Sequence, residues 1–387
     1  VLKTLKNILG KKDTITTSRE LALSLGLIGL DSSSGQPVNA ATALNQSTVY
    51  SCIRVLTQTI SSLPVHIIRS DGETREKVDN HSCRNILSLK PNAWQTAQQF
   101  WAMQIGHLQL RGNAYALIDR RPGGNEIRSL IPLNPDSVSV EQNDDGTLTY
   151  KHRVNGQSVV YSQEQIFHLK GLALDGVRGL SPIEAQRDSI GLAKAQESHG
   201  AALFRNGATP SGVFHTDSTL SDEGYDRLKE NLETYRGAAN AHQTVILEDG
   251  LSWQQLSMTS EDSQWLGSRA FQAHEICGIY GIPPWKVGLM DKATFNNTEQ
   301  MQLHFVQESV TPWLVNMEQT ASTQLLTRSE LEQGYRVKWS VEGLLRGDVK
   351  TRFEAYRLGI DMGVYSPNEV RSLENLNPVD GGDTRRQ

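Results

Sequence analysis

Cysteine is scarce in this chain: three in 387 residues. Cys52, Cys83 and Cys277 are odd in number and far apart. That excludes a disulfide framework and reads as the reduced thiols of a cytosolic protein. Long apolar runs are missing as well. The longest, "LALSLGLIGL" at 21–30, falls short of the roughly 18 residues that a membrane span needs. Asp13 and Glu20 precede it, which suits a signal peptide poorly, so no membrane partner is expected. Basic charge is not in surplus either. Lys and Arg number 38 against 43 Asp and Glu, for a formal charge of −5. This argues against a general nucleic-acid gripper, though not against a surface past which nucleic acid slides. The chain opens at Val1, and its natural N-terminus is expected to have been trimmed.

Catalytic signatures are equally thin. No G-x-x-x-x-G-K-[ST] phosphate loop and no G-x-S-x-G elbow occur. Asp144-Asp145-Gly146 lacks the downstream glutamate of a calcium loop and reads as a hairpin turn. "HEIC" offers His274, Glu275 and Cys277, but with no second pair nearby it reads as a helical histidine beside a buried thiol; His81 and Cys83 read the same way. No catalytic residue, metal or cofactor is expected, and the chain is not read as an enzyme. A metal-dependent hydrolase using His274 and Cys277 is the alternative.

What is present is enough apolar sequence for two or three packed units. Residues 1–46 read as a flexible N-terminal arm. From Thr48, Val49, Cys52, Ile53, Leu56 and Ile60 recur at helical spacing. "VHIIR" is a short strand, and "QTAQQFWAMQIGHLQLRG" a helix closing at Gly112. Over 129–170, "SLIPL", "SVSVEQ", "LTYKHRV" and "FHLK" alternate as strands. The pattern then changes. "SPIEAQRDSIGLAKAQESHGAALFRNG" starts with Ser181 as N-cap, Pro182 at the first helical position and Glu184 behind it. About 25 residues at ~1.5 Å each make a rod of roughly 37 Å.

A small insert at 207–259 is acidic, and a second rod, "SEDSQWLGSRAFQAHEICGIYGI", returns to Gly281. Two joined rods make a stalk that buries both faces only against copies of itself. "GIPPWKVGLMDKATFNNTEQ" at 281–300 follows as a loop too long for a mere connection. The helical stretch behind it contains Pro312, where a kink or break is expected. Near the end, "SPNEVRSLENL" repeats the Ser-Pro-x-Glu start at Ser366.

Five stretches in order, "RGNAYALI" (111–118), "GLSPIEAQRDSIGLAKA" (179–195), "FRNGATPSGVF" (204–214), "GIPPWKVGL…TFNNTEQ" (281–300) and "GVYSPNEVRSLENLNPVDGGD" (363–383), resemble those of phage portal proteins of the HK-ninety-seven type. Each is modest alone; together they cover nearly the whole chain from about residue 47. The resemblance implies an α+β phage portal fold with an α/β wing, helical stem, small α/β clip, tunnel loop and helical crown, assembled as a ring. By position, 47–180 is the N-terminal part of the wing, 181–206 the first stem helix, 207–259 the clip and 260–281 the second stem helix. Residues 282–297 are the tunnel loop, 298–339 the kinked tunnel helix with the C-terminal part of the wing, and 340–387 the crown and tail.

The implied assembly is a homo-oligomer, in the family a dodecamer, at one capsid vertex of the virion, put together in the host cytoplasm. Double-stranded DNA passes through it during packaging and ejection. The implied partners are the terminase large subunit, the major capsid protein and a head-tail adaptor protein. Twelve copies at −5 carry about −60 in all, which repels DNA rather than holding it. Trp285, Lys286, Lys292, Phe295, Asn296 and Asn297 are the expected channel-loop residues. Asp222, Glu223, Asp226, Glu230 and Glu233 are the expected docking residues of the clip. A structural head adaptor without a channel is a further alternative.

Overall fold

The computed structural model describes residues 32–71, 74–205, 212–215, 221–222, 224–226, 229, 252–255, 260–289, 298–345, 349–374 and 376–385. Its principal helices are α1 (Ser47–Ser61), α2 (Ala97–Arg111), α3 (Arg187–Arg205), α4 (Ser260–Ile279), α5 (Thr298–His304), α6 (Thr311–Leu325), α7 (Val349–Asp361) and α8 (Pro367–Leu373). The strands are β1 (Val65–Ser70), β2 (Arg75–Lys77), β3 (Asn113–Arg120), β4 (Ile127–Leu133), β5 (Val138–Gln142), β6 (Leu148–Val154), β7 (Gln157–Ser162), β8 (Ile166–Lys170), β9 (Gly212–His215), β10 (Ser252–Gln255) and β11 (Tyr335–Trp339). No described helix is long and apolar enough to cross a membrane.

α1 forms where the spacing predicts it, and Val49, Cys52, Ile53, Leu56 and Ile60 are all buried. α2 begins with Thr96 and Gln99 in a capping box and ends at Gly112, whose φ is +70°. Its Trp101 is the centre of the main core. The indole N–H donates to Leu87 O at 2.9 Å, and the ring meets Phe167 and Trp339 edge to face. Phe305, Val310, Leu314 and Met317 join the same core.

Sheet pairing closes the chain over long distances. β1 pairs antiparallel with β11, Ile67 opposite Val337, so residues before the long helices share a sheet with residues after them. β3 lies between β4 and β8. β5, β6 and β7 form a separate antiparallel sheet. Sequence alternation marked four strands over 129–170; β7 is additional. Its signal is Asn155-Gly156, with φ of 49° and 80°, a two-residue turn of the kind that matches strand twist.

Three local departures have physical causes. The arm expected to be flexible through residue 46 is packed from residue 32. Val38, Ala43 and Gln46 are buried, Ser33 N donates to Asp188 Oδ1 at 2.7 Å, and a Cβ on Gly191 would stand 2.0 Å from Ser32 Oγ. The helix start at Ser181 makes only the turn Pro182–Ala185. It is tied back to the body by Ser181 Oγ donating to Leu110 O at 2.9 Å, and the long helix begins afresh at Arg187. That leaves a rod of about 28 Å at ~1.5 Å per residue.

At Pro312, where a kink or break was expected, helical hydrogen bonding continues through one π-helical turn, Phe305–Val310. Proline has no N–H to give to the carbonyl four residues back. The π turn shifts the ladder just before it, with Thr311 N and Thr311 Oγ1 both donating to Val306 O, the latter at 2.8 Å.

Candidate channel and docking sites

Two of the sequence motifs meet in space. Gly112 and Gly179 lie backbone to backbone: a Cβ on Gly112 would stand 2.1 Å from Leu180 O, and one on Gly179 would stand 1.9 Å from Gly112 O. Only glycine fits at either position. Asn113 then binds both sides of the Gly179 residue. Its Nδ2 donates to Gly179 O and its Oδ1 accepts from Gly179 N, each at 2.7 Å.

This fixes a buried chain of polar contacts. Asn113 Oδ1 also lies 3.0 Å from His168 Nε2, and His168 Nδ1 lies 3.1 Å from the Tyr150 hydroxyl. Since Oδ1 is an acceptor, Nε2 carries the histidine proton and Tyr150 donates to Nδ1. Burial, with Lys170 and Arg178 adding positive charge nearby, holds the His168 pKa well below its ordinary value. The imidazole is neutral and structural. Gln324 Oε1 accepts from His168 N at 2.8 Å, tying β8 to α6.

The two rods pack together. Gln196 of α3 donates to Ser268 of α4 at 3.2 Å, and Ala193 and Gln272 line one shallow cavity, so the helices run antiparallel. Ile190 and Ala193 of α3 and Gln272, Ile276 and Cys277 of α4 are buried, and the apolar ones among them join the same core as α1. Leu192 and Phe271 point outward, 43% and 68% exposed. Each lies one turn from the Gln196–Ser268 contact, so they stand at the same level along the stalk.

α4 ends at Gly281, φ +61°. Ile282 N donates to Cys277 O at 2.9 Å, the long-range bond of a Schellman closure. The two prolines then start a tight 3-10 turn, Pro284–Val287. Trp285 is half-buried against the main core, edge to face with Phe305 at 6.5 Å. Lys286 Nζ donates to Gln302 Oε1 at 2.8 Å. Ser309 Oγ of the π turn donates to Gly281 O at 2.5 Å. Thus the end of the stalk, the turn and the π turn form one junction.

Of the expected loop residues, Trp285 and Lys286 belong to this junction; Lys292, Phe295, Asn296 and Asn297 lie outside the described residues. Of the acidic docking residues, Asp222 and Asp226 are exposed, and Glu223, Glu230 and Glu233 lie outside the described residues. Gln302 and Phe305, which complete the junction, were not singled out from sequence. Nothing in a helical glutamine or phenylalanine marks its distant partner.

The fifth motif also resolves into contacts. Ser366 and Glu369 make a capping box for α8. Buried Asn368 accepts from Val379 N at 2.8 Å and donates to Val379 O at 3.0 Å and to Asp383 Oδ1 at 2.9 Å. The "NPVDGGD" segment is thereby folded back on the helix.

Among the described residues no group of three or more His, Cys, Asp or Glu side chains is placed to hold a metal. His274 Nδ1 lies 2.8 Å from Ala270 O of its own helix, and Cys277 Sγ faces Cys52 Sγ at 4.0 Å, both thiols free and buried. The pair joins α4 to α1.

The fold thus combines small antiparallel sheets with two long helices packed side by side. Residues 47–375 match the family model of the phage portal protein, and the chain belongs to that family. It is 31% identical over 351 residues to the portal protein of Enterobacteria phage HK97, covering 89% of this chain and 82% of that one. In structure it is similar to a chain in the neck of an empty gene transfer agent particle computed with six-fold symmetry, with a TM-score of 0.64 and 25% identity over 89% of this chain and 95% of that one. A chain in the native neck computed with twelve-fold symmetry gives a TM-score of 0.63 at 24% identity, over 94% and 99% of the two chains. The α+β portal fold follows.

Proposed function

We propose that this chain closes with copies of itself into a ring, twelve being the expected number, at one vertex of a virion capsid. Double-stranded DNA passes along its axis during packaging and ejection. In this reading residues 47–180 and 298–339 form the wing, 181–206 and 260–281 the stem, 207–259 the clip, 282–297 the channel loop and 340–387 the crown and tail. The ring is a conduit and docking platform, not a catalyst. Energy for translocation comes from a terminase motor docked on it; adaptors and the capsid shell are its other partners. Exposed Asp222 and Asp226 favour basic partner surfaces on the clip. In this reading Lys292 belongs to the channel loop.

The observation that carries the reading is the pairing of α3 with α4, which leaves Leu192 and Phe271 exposed at one height on the two helices. A closed ring relates neighbours by rotation alone, without a rise. Apolar groups that meet across a subunit boundary must then lie at matching heights, as these do. The six-fold and twelve-fold symmetry of the structurally similar neck assemblies supports the same closure. Native mass spectrometry and projection images of the purified protein test it. Rings of about twelve copies with a central hole wide enough for duplex DNA are expected. A monodisperse monomer at high concentration, or a disc without a hole, overturns the proposal.

A further inference from the structure

Lys286 and Gln302 are 16 positions apart in the chain, and their side chains meet. Lys286 Nζ donates to Gln302 Oε1 at 2.8 Å. The same ammonium stands 4.7 Å from the ring centre of Trp285 and 4.5 Å from that of Phe305, within range for a cation against aromatic faces. Phe305 is fully buried and opens the π turn, whose Ser309 Oγ holds Gly281 O at 2.5 Å. A lysine serving as a phosphate ligand gains from a solvated, freely rotating stem. Here the half-buried side chain sets its ammonium beside two rings and an amide oxygen, and partial burial lowers its pKa.

We propose that Lys286 is a positioning residue, a clasp joining the Pro284–Val287 turn to α5 and the π turn, and not a ligand of DNA phosphate. It fixes the Pro284–Val287 turn against Gln302 of α5 and Phe305 of the π turn. The consequence for DNA passage rests on the channel reading above; the clasp itself does not.

Hydrogen exchange on the full-length protein tests the clasp. Gly288 N and Leu289 N donate to Trp285 O and Pro284 O within the turn, so their protection reports its closure. Lys286→Met keeps the stem and removes the charge. It is expected to speed exchange at these amides about tenfold, the scale of one lost partly buried cation contact. Lys286→Arg, which restores a cation and a donor, is expected to stay within about threefold of the parent. Gln302→Leu is expected to speed exchange too, and the double variant to be less than additive. Unchanged exchange in Lys286→Met, or Lys286→Arg as fast as Lys286→Met, overturns the proposal.

A second arm measures binding of a short duplex to the assembled protein across a salt series. The clasp predicts the same slope of log affinity on log salt for the parent and Lys286→Met. A slope shallower by about 0.9 for each lost phosphate contact makes Lys286 a DNA ligand and overturns the proposal. Failure to form rings counts against the channel reading alone, because the exchange arm still decides the clasp.

Discussion

Asn113 grips Gly179, 66 positions further along the chain, by both the N–H and the C=O of one residue, at 2.7 Å each. It does so while its Oδ1 also accepts a hydrogen bond from His168 Nε2–H. One side chain thereby fixes the approach of two loops, the tautomer of a buried imidazole and the start of the segment leading into the stalk.

Asn113→Ala removes all of these partners at once. Buried groups left unmade cost about 1–3 kcal/mol each, so a loss of roughly 3–5 kcal/mol is expected in urea unfolding. Gly179→Ala, whose Cβ would collide with the Gly112 carbonyl, is expected to be at least as damaging. A loss under about 1 kcal/mol in either variant would contradict the arrangement.

Stability is expected to fall in mild acid. Burial, helped by the nearby Arg111, lowers the His107 pKa to about 4, and His168 is held well below its usual value. In the unfolded chain both protonate near 6.5. The folded state binds fewer protons in that window, so stability is full above about pH 6.5 and is lost as pH falls toward 4. The slope is about 1.4 kcal/mol per pH unit for each buried histidine. Equal urea midpoints at pH 7.5 and 5.5 would show that these histidines do not hold their protons off.

Phe271→Glu places a charge on the exposed face of α4. Rings are expected to be lost while the circular dichroism spectrum persists and unfolding of the single chain shifts by no more than ~0.5 kcal/mol, as for an exposed site. Size-exclusion chromatography with light scattering reads the outcome. Rings of unchanged mass and salt tolerance would remove Phe271 from the subunit boundary.

Asn368→Ala cuts the three contacts that hold Val379 and Asp383 to α8. Exchange at Val379 N, bonded to Asn368 Oδ1, is expected to rise at least tenfold, since a lost hydrogen bond of about 1.4 kcal/mol corresponds to that factor. The body of the protein is expected to unfold as before.

Much of this structure was legible in single stretches. The apolar spacing of α1, the capping boxes at Ser366 and Thr96, and the closures at Gly112 and Gly281 are rules acting within one or two turns of chain. The Asn155-Gly156 turn obeys the same kind of rule, and β7 was readable from it. The break between Ala185 and Arg187 was not, because Ser181 is held by Leu110, a residue 71 positions earlier. Nor was the π turn, whose register answers to both Pro312 and Gly281. Lys286 reads as a free cation in the sequence; its neighbour Trp285, with the Phe305 ring and the Gln302 amide from other elements, makes it a clasp.

By itself the sequence determined where most helices and strands lie, the lack of familiar catalytic motifs, and the family, since ordered motifs and periodic burial are carried by neighbours in the chain. Tertiary structure alone decided that β1 shares a sheet with β11, that Asn113 holds Gly179, and that Leu192 and Phe271 stand level on the stalk. Those relations depend on which distant surfaces exclude water together, and no local run of residues contains that information.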